Sequence, residues 1–246
     1  MNVELNITLR CNKKCWACNR LCNVYPYTYD DDVTLEQIDR FIEQAKTIPV
    51  NKVKVLGGEP LLHPQFKEIY NKLLQALKDG IIKGLKVDTN HTIPFPKDLE
   101  IIPGVRIMGK REELKKHLPM IHPLDAGFIT NARPNCAMLR RCGASLDGLG
   151  WLPCSAAIPI NRMFSLGLYK KDLQKEPWGL DVLCRNCPFS LPQEWQDSHL
   201  YPLNAHPEKY DNPSPLFEKR LPKEPCRVRS GCEEGEDCNG DRPCRM

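Results

Sequence analysis

The sequence predicts an α/β fold, an open partial β/α barrel followed by a cysteine-rich C-terminal module. Strand-like and helix-like patterns alternate as far as about residue 131, and such alternation gives parallel strands joined by right-handed crossovers. A closed barrel of eight units takes about 250 residues, whereas here the alternation ends far short of residue 246. From Cys136 onward cysteines and turns replace it.

Each early element has a local signal. Val3–Leu9 alternates apolar and polar residues at the period of a strand. Thr34 and Gln37 form a capping-box pattern that begins a helix. The next signals are a strand at 53–56, a helix from about Pro64 that ends at Gly80, strands at 85–87, 105–108 and 128–129, and a charged helical piece at 111–117.

Three cysteines directly follow the first predicted strand. Cys11, Cys15 and Cys18 form a CxxxCxxC pattern. Three thiolates at this spacing can hold three corners of a 4Fe-4S cluster and leave one iron open to a non-protein ligand. The alternative is a zinc site, but zinc sites usually combine a CxxC pair with two further ligands nearby.

A second motif, Gly57-Gly58-Glu59-Pro60, follows the second predicted strand. The two motifs in this order resemble the radical S-adenosylmethionine (SAM) superfamily. The resemblance implies a partial barrel of the radical SAM type, a SAM-binding 4Fe-4S cluster on the cysteine triplet, and an external one-electron donor such as flavodoxin or ferredoxin. It also implies reductive cleavage of SAM to a 5′-deoxyadenosyl radical, which abstracts hydrogen from a substrate.

The same resemblance implies which residues contact SAM. Glu59 and the backbone of Gly57 and Gly58 would accept the methionyl ammonium, because a cation needs a carboxylate and exposed carbonyls. Thr89 and Asn90 match the Thr-Asn pair that follows the third strand in the family, although His91 stands where a glycine is usual. The catalytic residues stay unknown at this stage.

The later cysteines predict a second cluster. Cys184 and Cys187 form a CxxC pair, and Asp147-Gly-Leu-Gly150 predicts a hairpin turn upstream of it. This arrangement resembles the SPASM and twitch auxiliary-cluster modules of radical SAM enzymes, and it implies an auxiliary 4Fe-4S cluster. The implied ligands are Cys154, Cys184, Cys187 and one or both of Cys136 and Cys142, between which the first ligand stays open.

Four more cysteines recur every six residues near the C-terminus, at Cys226, Cys232, Cys238 and Cys244. A second auxiliary cluster, a zinc site and free reactive thiols all remain open for them. The expected division is a partial radical SAM barrel at 1–133, a SPASM/twitch-like module at 134–190 and a cysteine-containing tail at 191–246.

Composition narrows the class of protein. Thirteen cysteines without a signal peptide or a long apolar run predict metal ligation in a cytoplasmic protein with no membrane partner. The formal net charge of +4 comes with no lysine and arginine block, so a nucleic-acid partner is not expected. Four polar residues on or after the late strands are either solvated or in contact with an anion: Arg106, Lys110, Asn131 and Arg133.

The leading functional hypothesis is a radical SAM enzyme that oxidises or rearranges a small molecule with the help of the auxiliary cluster. One alternative is modification of a ribosomal peptide by epimerisation or cross-linking. An alternative of another class is a non-catalytic zinc or Fe-S module that binds nucleic acid, but the interleaved aromatic and basic residues that it needs are missing. His63 and His122 are predicted to be structural.

Overall fold

The fold is built around one six-stranded, mostly parallel sheet with the strand order β4-β3-β2-β1-β5-β6. The structure, a computed structural model, describes residues 1–15, 18–22, 32–109 and 121–196, with Leu216 and Lys219. The strands are β1 (Asn2–Thr8), β2 (Lys52–Gly57), β3 (Leu85–Thr89), β4 (Val105–Gly109), β5 (Ala144–Asp147) and β6 (Gly150–Leu152). The α-helices are α1 (Leu35–Ala45), α2 (Phe66–Lys78), α3 (Ala137–Arg141), α4 (Ala157–Phe164), α5 (Leu180–Arg185) and α6 (Gln193–Trp195).

One face of the sheet is apolar and is covered by α1 and α2. The outward residues of β1, such as Leu5, pack with Phe41 of α1 and Leu73 of α2 in one buried cluster. Helix α1 begins at Thr34, whose predicted capping box with Gln37 is formed by both reciprocal hydrogen bonds. The predicted α/β class and both of these helices are confirmed.

The other face of the sheet carries charged and polar residues. In the register of the parallel strands, Glu4 stands beside Lys54 and Lys54 beside Lys86. Side chains alternate between the two faces of a strand, so these residues point away from α1 and α2. This polar face is the side of the sheet opposite α1 and α2.

The predicted hairpin forms, and its first strand joins the barrel sheet. Strand β5 pairs in parallel with β1 and antiparallel with β6. A second apolar cluster lies beside the hairpin, and there Leu9 and Leu21 of the first cysteine loop pack with Leu152 and Ile158. The hairpin and the N-terminal strand therefore share both a sheet and a core.

One sequence prediction changes. The strand expected at 128–129 is wrong, because this segment lies outside the sheet: Phe128 packs edge-on against Trp195, whereas Ile129 is 87% exposed. Two apolar residues between Gly127 and Thr130 are too few to form a strand. The helical piece expected at 111–117 lies outside the described residues, as do the four cysteines of the C-terminal tail.

The division into three domains stays a prediction. In the part of the chain that the structure describes, no helix is long and apolar enough to cross a bilayer.

Candidate functional site

The first cysteine group lies where β1 ends, and all three of its thiols are partly exposed. Two N–H groups point at the Cys11 sulfur, the backbone N–H of Lys13 at 3.4 Å and the Asn90 side-chain amide at 3.9 Å. These two contacts tie the Cys11 side chain to its own loop and to the segment after β3.

A tight turn encloses the sulfur of Cys18. The Leu21 N–H donates to the Cys18 carbonyl at 3.0 Å, and Leu21 takes a positive φ of 55° with its side chain fully buried. The Cys22 thiol and the backbone N–H groups of Arg20 and Cys22 donate to the sulfur. Led by the Cys22 hydrogen bond and against the effect of burial, these donors lower the pKa of Cys18 to about 6.

The glycines of the second motif bring β2 against the cysteine loop. A Cβ on Gly57 would lie 1.9 Å from the Thr8 carbonyl oxygen, and a Cβ on Gly58 would lie 2.2 Å from that of Arg10. Gly58 N–H donates to Thr8 O at 2.9 Å, and Glu59 N–H donates to Arg10 O at 2.8 Å. These glycines thus admit the chain's own backbone, a role that the sequence did not predict.

The structure brings the other predicted SAM contacts together around the Glu59 carboxylate, which is fully buried. One of its oxygens accepts from the Thr89 hydroxyl at 2.8 Å and from Leu61 N–H at 3.2 Å. The other accepts from Asn90 N–H at 2.6 Å. Glu59 therefore ties the end of β2 to the end of β3, in addition to any role with a ligand.

The segment after β3 reaches back to the cysteine loop. The Asn90 side-chain amide donates to Asn12 Oδ1 at 2.8 Å, and the Asn12 amide donates to Thr92 Oγ1 at 2.7 Å. His91 has a positive φ of 60°. Glycine adopts this conformation without strain, which explains why glycine suits the position.

Sequence reasoning missed a buried charged group beside the loop. Arg20 is 6% exposed and Glu4 is 2% exposed, and they form an ion pair of 3.0 Å between Arg20 NH2 and Glu4 Oε2. Lys54 also contacts the Glu4 carboxylate. Although burial opposes it, Arg20 and Lys54 hold the pKa of Glu4 below its ordinary value. In the sequence alone, these charges look like solvated surface residues.

The second cysteine group lines one cavity in the C-terminal part of the chain. The cavity has about 320 Å³ of empty space, part of it open to solvent, and its wall includes Cys136, Cys154, Cys184 and Cys187. Except for Cys136, these thiols are buried. Hydroxyl groups fix the CxxC turn, because Thr130 donates to the Cys184 carbonyl at 2.7 Å and Ser190 lies 2.5 Å from the Cys187 carbonyl.

Backbone N–H groups point at the sulfurs in this cavity too. Cys154 accepts from Ala156 and Ala157, Cys184 from Arg133, and Cys187 from Phe189. Burial nevertheless dominates. It raises the pKa of Cys154 to about 12 and raises the pKa of Cys187 well above its ordinary value, and the neighbouring thiols of the group add to both shifts.

Cys142 lies apart from this cavity wall. Its side chain interacts with Glu4, Lys54 and Ser155, and burial followed by the Glu4 charge raises its pKa. Cys136 is the N-cap of α3 and Cys142 is its C-cap, so the short helix separates the two thiols. The structure brings Cys136 to the other three cysteines and does not bring Cys142.

The polar residues and histidines singled out in the sequence lie in different environments. Arg133 lines the cavity and donates to the Phe189 carbonyl at 3.1 Å, whereas Asn131 and Arg106 are exposed. Lys110 lies outside the described residues. The ring of His63 accepts from Gln65 N–H and contacts the Val33 carbonyl. That of His122 accepts from Leu124 N–H and contacts Asn186, so both histidines have structural partners.

A zinc ion needs donors that converge on one point. Among the described residues, no three side chains of His, Cys, Asp or Glu converge in that way. Each iron of a 4Fe-4S cluster takes its own thiolate, so a cluster does not require such convergence.

Comparison with known protein families matches residues 5–107 to the family described as "Radical SAM superfamily". The matched segment contains the first cysteine triplet, the GGEP motif and the Thr-Asn pair. It ends before the second cysteine group.

Two curated relatives match part of this chain. The GTP 3',8-cyclase of Alkaliphilus metalliredigens is 35% identical over 60 residues, which are 24% of this chain and 19% of the relative. A Methanocaldococcus jannaschii protein named "Probable GTP 3',8-cyclase" is 32% identical over 89 residues, 36% of this chain and 28% of the relative. The match thus spans less than a third of either relative.

A solved structure, "Crystal structure of BtrN in complex with AdoMet and 2-DOIA", aligns over 85% of this chain and 89% of that chain. The identity is 16% and the TM-score is 0.39. A TM-score this low does not establish a shared fold.

Proposed function

We propose that this chain is a radical SAM enzyme whose domain binds a 4Fe-4S cluster through Cys11, Cys15 and Cys18 and cleaves SAM to act on a small molecule. The observation that carries the proposal is the set of N–H donors at the sulfurs of Cys11 and Cys18, beside the GGEP loop. When bound and reduced, the cluster supplies the electron that cleaves SAM to methionine and a 5′-deoxyadenosyl radical.

The protein's own residues orient the cofactor and exclude water. Glu59, held by Thr89 and Asn90, is proposed to receive the methionyl ammonium. A carboxylate that already accepts from three donors is fixed in position, and a fixed acceptor loses little entropy when the cation arrives.

We further propose an auxiliary 4Fe-4S cluster held by Cys136, Cys154, Cys184 and Cys187. Support comes from the shared cavity and from the backbone N–H groups that point at three of these sulfurs. Four thiolates would complete the coordination of the cluster. Such a cluster would exchange electrons with a substrate radical and would not bind the substrate directly, which favours an oxidation.

The names of the relatives support a small-molecule substrate over a ribosomal peptide. Their matches cover 24% and 36% of this chain, so their reaction is a hypothesis for this chain. GTP and other nucleotides are the first compounds to test, by the formation of 5′-deoxyadenosine in the presence of SAM and dithionite.

Iron and sulfide analysis of anaerobically reconstituted protein, with electron paramagnetic resonance (EPR) before and after SAM is added, tests the proposal. We expect about seven to eight irons per chain, because two clusters of four are proposed. We also expect one EPR signal to change with SAM and the other to stay. A value near four irons would eliminate the auxiliary cluster, and a colourless zinc protein would overturn the whole proposal.

A further inference from the structure

The buried group around Arg20 connects the first cysteine loop to the inner face of the sheet. Arg20 donates from NH2 to Glu4 Oε2 at 3.0 Å and from Nε to Asn6 Oδ1 at 2.8 Å, and both partners lie on β1. Its own backbone N–H donates to the sulfur of Cys18. One residue thus holds the turn around Cys18 and anchors it to the central strand.

The group also has an excess of positive charge. Glu4 is shared between Arg20 and Lys54, whose side chains are 7% and 17% exposed. Asp88, which is itself paired with Lys86, also acts on Lys54. Two pairs of opposite charge therefore leave one positive charge in excess, and the Arg20 charge acts on the Cys18 sulfur. Water screens such a buried charge poorly.

Accepting, from the proposed function, that the first triplet holds a cluster, we propose that Arg20 is a positioning residue that makes this cluster easier to reduce. Reduction adds one negative charge to the cluster, and the electron comes from the external donor or, in the test, from dithionite. Net charge and hydrogen bonds to the sulfurs are among the factors that set the reduction potential of a cluster. Arg20 supplies both, since it brings a buried cation and a backbone N–H to Cys18.

The test is a redox titration of the holoenzyme, followed by EPR on the signal that changes with SAM. Arg20→Met should move the midpoint potential in the negative direction, because it removes the cation. Glu4→Gln should move it in the positive direction, because it leaves both cations uncompensated. Arg20→Lys, which keeps the charge, should restore most of the wild-type value.

Lys14 offers a matched control. It lies in the same loop and carries the same charge, but its side chain is exposed. Lys14→Met should shift the potential less than Arg20→Met does, because water screens an exposed charge. An equal shift in the two variants would contradict a special role for the buried cation.

The opposite signs of the potential shifts expected for Arg20→Met and Glu4→Gln distinguish this inference from a merely structural role of Arg20. If Arg20 only anchored the loop, Arg20→Met and Glu4→Gln would disturb the cluster in the same direction, and that result would overturn the inference. If Arg20→Met loses its iron, the other two variants provide the test. A wild-type potential in Arg20→Lys together with a positive shift in Glu4→Gln would support the inference. Any other combination would contradict it. Full iron loading with unchanged potentials would overturn the inference alone, whereas a wild-type chain without iron would overturn the proposed function as well.

Discussion

The two cysteine groups differ in burial, number and setting. The first has three partly exposed thiols on a loop at the carboxyl end of β1. The second has four thiols around a cavity, and three of them are buried. Three partly exposed ligands suit a cluster that must leave one iron open to a ligand, whereas four thiols suit a cluster whose coordination the protein completes. This difference motivates the proposed roles, chemistry at the first group and electron exchange at the second.

Removing each cysteine group in turn is the strongest test of the different roles proposed for the two groups. Replacing Cys11, Cys15 and Cys18 by alanine should abolish reductive cleavage of SAM, because the proposed cluster and SAM site would be lost. Replacing Cys184 and Cys187 should leave uncoupled formation of 5′-deoxyadenosine while product is lost. Each variant should retain about four irons. Chromatographic assay of 5′-deoxyadenosine and of substrate turnover measures both effects, and equal loss of cleavage would mean that the second group serves folding.

Thiol reactivity in the iron-free chain sharpens the comparison. The pKa of Cys18 is lowered to about 6 and that of Cys154 is raised to about 12. Because the thiolate is the nucleophile, alkylation of Cys18 by iodoacetamide should rise as the pH passes about 6 and level off above neutrality. Cys154 should stay unmodified across that range. Peptide mapping by mass spectrometry measures the two rates.

The control for this experiment is the chain in guanidinium chloride, where both thiols should titrate near their common unperturbed pKa of about 8.5. Linkage fixes the sign of the effect on stability. Ionisation of Cys18 favours folding fully above about pH 8.5, and this contribution is lost as the pH falls through about 6. Equal native alkylation rates would contradict the difference in environment.

A smaller effect concerns how the first group is held. Gly58→Ala should destabilise the chain by about 3 kcal/mol, because the new Cβ would meet the Arg10 carbonyl and displace the cysteine loop. Gly84→Ala is the matched control, since its Cβ would make only ordinary contacts at 3.6 Å or more, and it should be neutral or stabilising by up to about 1 kcal/mol. Urea denaturation of the iron-free variants measures both. Similar values for the two would show that the loop can move aside.

Much of the barrel could be predicted from the sequence because its signals are local. The capping box at Thr34 and the stop at Gly80 mark helices within a few residues. No local signal in the sequence predicts the position of β5 in the sheet. Its partner β1 is more than a hundred residues away in the chain, and a strand's pattern says which side is buried but not which strand lies beside it.

Some features of the candidate site could likewise be predicted from local sequence, and others required the fold. Cysteine spacing predicted both groups, and the structure places Cys136, Cys154, Cys184 and Cys187 around one cavity. The choice between Cys136 and Cys142 needed the fold, since only the fold places one at the cavity and the other beside Glu4. The burial of Arg20 could not be predicted either, because the sequence does not distinguish a buried arginine from a solvated one.

The parallel pairing of β5 with β1 has a consequence for biosynthesis. During translation, β1 emerges first and can pair with β2, but its other edge stays open until residues 144–147 have been made. An unpaired edge strand is a template for aggregation, and pairings so distant in sequence form slowly. A nascent or truncated chain that ends before β5 would therefore depend on chaperones, however well its helices form.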